Sequence, residues 1–200
     1  MYTYVIYAAV ASYLIGSIPF GYILAKYARG IDIRQLGSGN IGATNVWRNL
    51  GPVYGIMVLL LDMGKGVAAV LIGRHWGGVG TELIAAFLAL CGHSWPIFLR
   101  FKGGKIVATG GGIIFAISPV TALVALAVLL ITVGISRYVS LGSIMAAITV
   151  PVTMIILRMN ILYIIFGILV AAFVIYKHQP NIKRILAGTE FKVGKGGRKY

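Results

Sequence analysis

The chain has 200 residues, 59% of them hydrophobic and 11% charged, with a formal net charge of +14 and a mean hydropathy of +0.93. Soluble domains carry about 25% charged residues, so this composition excludes an ordinary soluble fold and indicates an integral membrane protein. The basic residues are scattered between apolar runs, which disfavours nucleic acid as a partner and leaves anionic lipid or phosphorylated substrates.

A bilayer-spanning helix needs ~20 apolar residues. Residues 4–27 form a first span. No basic segment precedes it and its apolar run continues past Ala11, so it is expected to be retained and not cleaved as a signal peptide. A polar stretch follows, LGSGNIGATNVWRNLG (36–51), with four glycines, three asparagines, Ser38, Thr44 and Arg48 and no acid. Residues 55–76 are a second span despite Asp62 and Lys65, and 81–99 a third, with His93 and Pro96 near its end. The lone cysteine, Cys91, lies in that run and reads as packing.

The apolar run 106–135 is too long for one span and is interrupted by Ser118-Pro119. Proline removes a donor and clashes with the preceding turn, which predicts a short helix over 105–117 and a full one over 119–136. Residues 140–157 and 161–176 complete an all-α integral membrane protein of about seven transmembrane helices. A single bent or re-entrant 105–135 would leave five or six.

Seven spans with the N-terminus outside put fifteen basic residues on one side: Lys26, Arg29, Arg34, Arg48, Arg100, Lys102, Lys105, Arg137, Lys177, Lys183, Arg184, Lys192, Lys195, Arg198 and Lys199. The other side holds Arg74 and Arg158, and Lys65 lies within a span. The excess of positive charge faces the cytoplasm, giving an outside N-terminus and a cytoplasmic C-terminus. The glycine-rich polar segments then share the cytoplasmic face: 36–51, RFKGGKIVATGGG (100–112), SRYVSLGS (136–143) and KHQPNIKRILAGTE (177–190).

Glycine-rich backbone beside a helix start suits oxyanions, because exposed N–H groups and the positive helix end point at the ligand. Residues 37–48 and 102–109 both have this make-up, which suggests two anionic groups; the alternative is glycine used for helix packing. The chain has no GxxxxGK[ST] nucleotide loop and no CxxC or HExxH metal pattern. Its histidines, His75, His93 and His178, lack an aspartate five positions on, so the His-x4-Asp pair of common glycerolipid acyltransferases is missing. An enzyme of this kind would position a substrate that arrives already activated.

Three motifs resemble the bacterial acyl-phosphate-dependent glycerol-3-phosphate acyltransferases (PlsY type). They are GSGNIGATN (37–45) followed by Arg48, GHSWPIFLRFKGGKIVAT (92–109), and NIKRILAGTE (181–190) preceded by His178; DMGKG (62–66) also fits. Ile41 stands where the family often has proline, and Ile106 where it often has glycine. The resemblance covers essentially the whole chain. It implies one membrane-embedded acyltransferase domain, 1–200, with a basic cytoplasmic tail at 191–200, in the bacterial cytoplasmic membrane. Fatty acyl phosphate and sn-glycerol 3-phosphate would be its substrates and membrane lipids its surroundings, with no cofactor or metal and a monomeric state.

The resemblance also implies roles. Lys105, Ser143 and Asn181 would stabilise the oxyanion and phosphate charge, with no dedicated base. Substrate binding would fall to Gly37, Ser38, Gly39, Asn40, Gly42, Thr44, Asn45, Arg48, Lys102, Gly103, Gly104, Thr109, His178, Arg184 and Glu190. Plainer readings stand beside these: Lys105 as a charge anchor, Ser38 or Thr44 as helix caps, His93 as a structural hydrogen bonder, Glu190 as a partner of Arg184 or Arg48. His178 could serve as a base, although a phosphate oxygen of the donor could take the hydroxyl proton instead. Asp62 and Lys65 are three apart on one helix face, suited either to function or to an ion pair fixing loop 37–51. A transporter of a phosphorylated solute and a scaffold binding anionic lipid through its tail are the competing classes; the first lacks a visible inverted repeat, and the second leaves the glycine loops unexplained.

Overall fold

The computed structural model describes residues 2–194, and all regular structure among them is helical. Met1 and the end of the basic tail, residues 195–200, lie outside the described residues. The chain divides between Ile117 and Ser118 into two compact units.

The first unit opens with α1 (Tyr2–Ser17) and α2 (Phe20–Arg29). The sequence predicts one unbroken helix here, but Pro19 has no N–H and the helix breaks at it. Lys65 Nζ donates to the carbonyl of Ile18 at 3.1 Å. A short 3-10 turn (Ile33–Gln35) and α3 (Ala43–Leu50) follow within the polar stretch, and neither is signalled by its hydropathy.

The long α4 (Pro52–Ser94) has 43 residues. At ~1.5 Å per residue it is about twice the ~30 Å hydrocarbon thickness. It breaks at Gly77, which is extended, and at Gly78, which is left-handed with φ 69°. Its two arms are therefore the spans expected at 55–76 and 81–99, joined by a break and not by a loop. Arg74 Nε and Nη2 bridge the bend to the carboxylate of Glu82 at 3.1 and 3.0 Å. Trp95 and Pro96 end the second arm five residues before the expected boundary.

The short α5 (Val107–Ile117) completes this unit. Gly16 and Gly92 let α1 and the second arm of α4 approach backbone to backbone; Gly66 and Gly112 do the same for the first arm and α5. Lipid offers helices no hydrophobic drive to associate, so close packing of small residues supplies it.

In the second unit, α6 (Pro119–Ser136) starts at the expected proline, and Ser118 caps it by accepting from Thr121 N at 3.3 Å. The run 106–135 is thus two helices. Helices α7 (Val139–Ile156) and α8 (Ile161–Lys177) match the expected spans to within one residue, and α9 (Gln179–Leu186) departs from α8 at 57°. Among the described residues, Thr3–Arg29, Pro52–Leu99, Pro119–Ser136 and Val139–Ile156 are long and apolar enough to cross a membrane, and the bent pair adds a fifth segment. Large apolar side chains such as Ile131, Ile135 and Ile156 are exposed on these helices, as lipid contact requires.

Candidate active site

Both polar loops of the first unit rest on one buried cluster, to which the first contributes Ile33, Ile41 and Val46 and the second Leu99. Ile41 thereby serves as core.

Asn45, in the first turn of α3, organises the first loop. Its Nδ2 donates to the carbonyls of Ile33, Leu36 and Asn40 at 3.2, 3.0 and 2.8 Å. Its Oδ1 accepts from Ser38 N at 3.0 Å and from Asn49 Nδ2 at 3.1 Å. Asn40 Oδ1 accepts from Gly42 N at 2.7 Å. The sequence offers Asn45 and Asn40 as substrate ligands; both ends of the Asn45 amide, and the carbonyl oxygen of Asn40, are engaged within the loop itself. Gly37 and Gly39 are left-handed, with φ 56° and 69°, and allow the tight turn before α3.

What the loop presents outward is the first turn of α3, whose leading N–H groups have no intrahelical acceptor. Thr44 is exposed there, Ser38 is half-buried beside it, and half-buried Arg48 lies four residues after Thr44 on the same helix face. Nearby, Arg34 grips Asp32 with Nε–Oδ1 at 2.9 Å and Nη2–Oδ2 at 2.6 Å. That hydrogen bond holds the Asp32 carboxyl below its ordinary range and raises the Arg34 guanidinium above its own.

The second loop runs from the end of α4 to α5. Arg100 and Phe101 are both left-handed, which turns the chain back so that Gly104 N donates to the carbonyl of His93 at 2.9 Å. A side chain on Gly103 would overlap the His93 carbonyl and Pro96, and one on Gly104 would overlap the His93 ring. These two glycines thus owe their place to packing on His93. Lys105 follows, half-buried at the entrance of α5, with exposed Lys102 three residues before it. Ile106 is fully buried at φ 60°, an unfavourable conformation for a β-branched residue. Thr109, expected to bind substrate, is fully buried one turn into α5 and packs on Gly66.

Beneath this loop lies a buried charge cluster. Lys65 Nζ is 2.8 Å from Asp62 Oδ1, and His93 Nδ1 is 3.7 Å from the same oxygen. The pair braces the Pro19 break and His93, where the sequence suggested loop 37–51.

In the second unit Glu190 is the organiser. Its Oε1 accepts from Ser140 Oγ at 2.9 Å and Asn181 Nδ2 at 2.7 Å, and its Oε2 from Arg184 Nε at 2.7 Å. Burial opposes ionisation of Glu190, but these hydrogen bonds together outweigh it and hold the carboxyl below its ordinary value. Glu190 therefore fixes the groups around it; of the two readings the sequence offered, substrate ligand and partner of Arg184 or Arg48, the contact to Arg184 is present, while Ser140 was not singled out. Ser143 Oγ donates to Val139 O at 2.9 Å. His178 Nδ1 lies 2.8 Å from Val174 O, and because a carbonyl can only accept, Nδ1 carries the proton of the neutral ring. The described part of the tail is tied back through Val193 N to Arg137 O at 2.8 Å.

All four carboxylates of the sequence have a basic partner: Asp32 with Arg34, Asp62 with Lys65, Glu82 with Arg74 and Glu190 with Arg184. The arrangement is suited to binding anions and stabilising negative charge that develops on them. Among the described residues no group of three or more His, Cys, Asp or Glu could hold a metal ion.

A family model described as glycerol-3-phosphate acyltransferase matches residues 6–188. A glycerol-3-phosphate acyltransferase of Desulforamulus reducens is 55% identical over 92% of this chain and 93% of its own length. One of Carboxydothermus hydrogenoformans is 46% identical over 95% of this chain and 97% of its own. Among solved structures, the chain is similar to crystal forms of PlsY (YgiH), an integral membrane glycerol 3-phosphate acyltransferase. The glycerol 3-phosphate form is 40% identical with a TM-score of 0.91, covering 95% of this chain and 96% of that one. The lysophosphatidic acid form is 39% identical with a TM-score of 0.89, covering 95% of each.

Proposed function

The chain belongs to the glycerol-3-phosphate acyltransferase family, and from that premise we propose that its acyl donor is a fatty acyl phosphate. The acyl group passes to the 1-hydroxyl of sn-glycerol 3-phosphate, giving 1-acyl-sn-glycerol 3-phosphate and inorganic phosphate. The observation that carries this choice is the engagement of all four Asp and Glu side chains by basic side chains. A donor that brings a phosphate leaving group is already activated, and its own phosphate oxygen can take the hydroxyl proton.

The cations and polar donors then supply electrostatic stabilisation. Lys105 neutralises phosphate and the oxyanion on the attacked carbonyl, with Lys102 adding charge. The first turn of α3, with Ser38, Thr44 and Arg48, binds a phosphate; Arg48 can do so through two parallel N–H bonds. In the second unit Ser143, His178, Asn181 and Arg184 bind the glycerol phosphate, with Asn181 and Arg184 held in place by Glu190. Asn40, Asn45, Thr109 and the glycines Gly37, Gly39, Gly42, Gly103 and Gly104 shape and support the loops.

The match across 6–188 spans both units and supports one acyltransferase domain. We further assign seven crossings, counting each arm of α4 and the short α5, with the N-terminus outside. The fifteen-to-two charge asymmetry supports that orientation, and with it a cytoplasmic active site in the inner membrane. Mass spectrometry of the lipid product from palmitoyl phosphate or palmitoyl-CoA, each with glycerol 3-phosphate, tests the donor. Acylated product from the phosphate alone supports the proposal, and product from the thioester alone refutes it.

A further inference from the structure

The chemistry proposed above uses neither Asp62 nor Lys65, although both are almost fully buried within a span. A buried ion pair is weak evidence for stability, because desolvation offsets much of the attraction. Its surroundings say more. Lys65 Nζ contacts Asp62 Oδ1 at 2.8 Å and Ile18 O at 3.1 Å, and lies 5.8 Å from the centre of the Phe20 ring. The ammonium is thus anchored at the Pro19 break and holds the carboxylate in one place. The same Asp62 oxygen faces His93 Nδ1 at 3.7 Å. That is too long for a hydrogen bond, but close enough to favour one orientation of the imidazole dipole.

His93 in turn carries the second loop. Its carbonyl receives the Gly104 N–H at 2.9 Å, and its ring fills the space beside the Gly104 Cα. Gly103 packs on the carbonyls of His93 and Ser94. Lys105 is the next residue. A continuous set of contacts therefore runs from Lys65 through Asp62 and His93 to the backbone that aims Lys105.

We infer that Asp62 is a positioning residue for Lys105, acting through the His93 ring, with Lys65 fixing the carboxylate. The inference rests on the role of Lys105 given above. Removing the carboxylate withdraws the charge that faces His93 Nδ1, and the Gly103–Gly104 backbone packed on that residue is expected to shift with it. A displacement of about 1 Å far from the reacting atoms can cost on the order of a hundredfold in rate.

The test is a double-mutant cycle on full-length protein in lipid. Asp62→Asn is made in the native chain and in Lys105→Arg, with Asp62→Asn/Lys65→Met as a companion that leaves no lone buried charge. Thermal midpoints are recorded beside kcat and KM. In the native background Asp62→Asn is expected to lower kcat/KM about tenfold or more, with His93→Gln behaving alike. In Lys105→Arg the same change is expected to add less than about twofold, since the group it positions is already displaced. Equal losses in both backgrounds, or a lost fold in both Asp62 variants, would assign the pair to stability alone and overturn the inference. Undiminished activity of Lys105→Arg would instead overturn the role of Lys105 itself.

Discussion

Gly104 donates its backbone N–H to the carbonyl of His93 at 2.9 Å, and the imidazole of that histidine occupies the space a side chain on Gly104 would need. Gly104→Ala is therefore expected to push the loop off His93. Overpacking of this kind costs about 1–3 kcal/mol, and kcat/KM should fall at least about tenfold through Lys105. Gly111→Ala, two turns further into open space on α5, is the control: stability should hold or rise, alanine being the better helix former. Thermal unfolding and steady-state kinetics on the two variants check the contrast.

Asn45 satisfies three carbonyls and accepts two donors in the loop it heads. Asn45→Ala should destabilise the protein by about 1–3 kcal/mol, the cost of leaving buried polar groups unpaired. Asn45→Asp should be worse, because it keeps the acceptor oxygen but sets a carboxylate against three carbonyls. Thr44→Ala should leave the thermal midpoint nearly unchanged and raise KM. The opposite pattern would mean Thr44 builds the loop and Asn45 meets substrate.

The Glu190 carboxyl is held below its ordinary value of 4.5 by Asn181, Arg184 and Ser140, against the opposing effect of burial. A depressed native pKa contributes stability that is fully present above the unfolded value and is lost as pH falls through the native one. Glu190→Gln should thus be less stable than the native chain at neutral pH. Below about pH 4 its remaining loss on acidification should be shallower. Thermal midpoints from about pH 7 to about pH 3 test this; parallel curves would contradict it.

Ile106 sits at φ 60° yet is fully buried. Ile106→Gly would relieve about 1–3 kcal/mol of backbone strain but remove a buried side chain worth about 2–5 kcal/mol. The net expectation is a modest loss of stability. Arg137, left-handed at the end of α6 and exposed, has no such burial to lose. Arg137→Gly should raise stability by several tenths of a kcal/mol, glycine being the favoured residue there. Chemical denaturation of both variants reads the two signs.

The spans were legible because apolar runs of bilayer length are hard to mistake, and because Pro119 splits the longest of them as a helix must. The Pro19 break was not read, since hydropathy is continuous across it; the Ile18 carbonyl there is satisfied by Phe20 N at 3.2 Å and by Lys65 Nζ at 3.1 Å. Helices α3 and α9 have eight residues each, too few turns to register as a periodic pattern. Within the candidate site, residue types were readable and orientations were not. Thr44 and Asn45 are adjacent, yet a helical step of about 100° exposes one and buries the other. The tie between His93 and Gly104 closes a loop through backbone turns at Arg100 and Phe101, and Ser140 meets Glu190 from 50 residues away. No local pattern encodes them.

The central claim is best tested by inorganic phosphate release from a synthetic fatty acyl phosphate, with purified protein in lipid vesicles and glycerol 3-phosphate present or absent. Release is expected to require glycerol 3-phosphate, to match acylated product mole for mole and to be lost in Lys105→Ala. Release independent of glycerol 3-phosphate, or undiminished in Lys105→Ala, would contradict the claim.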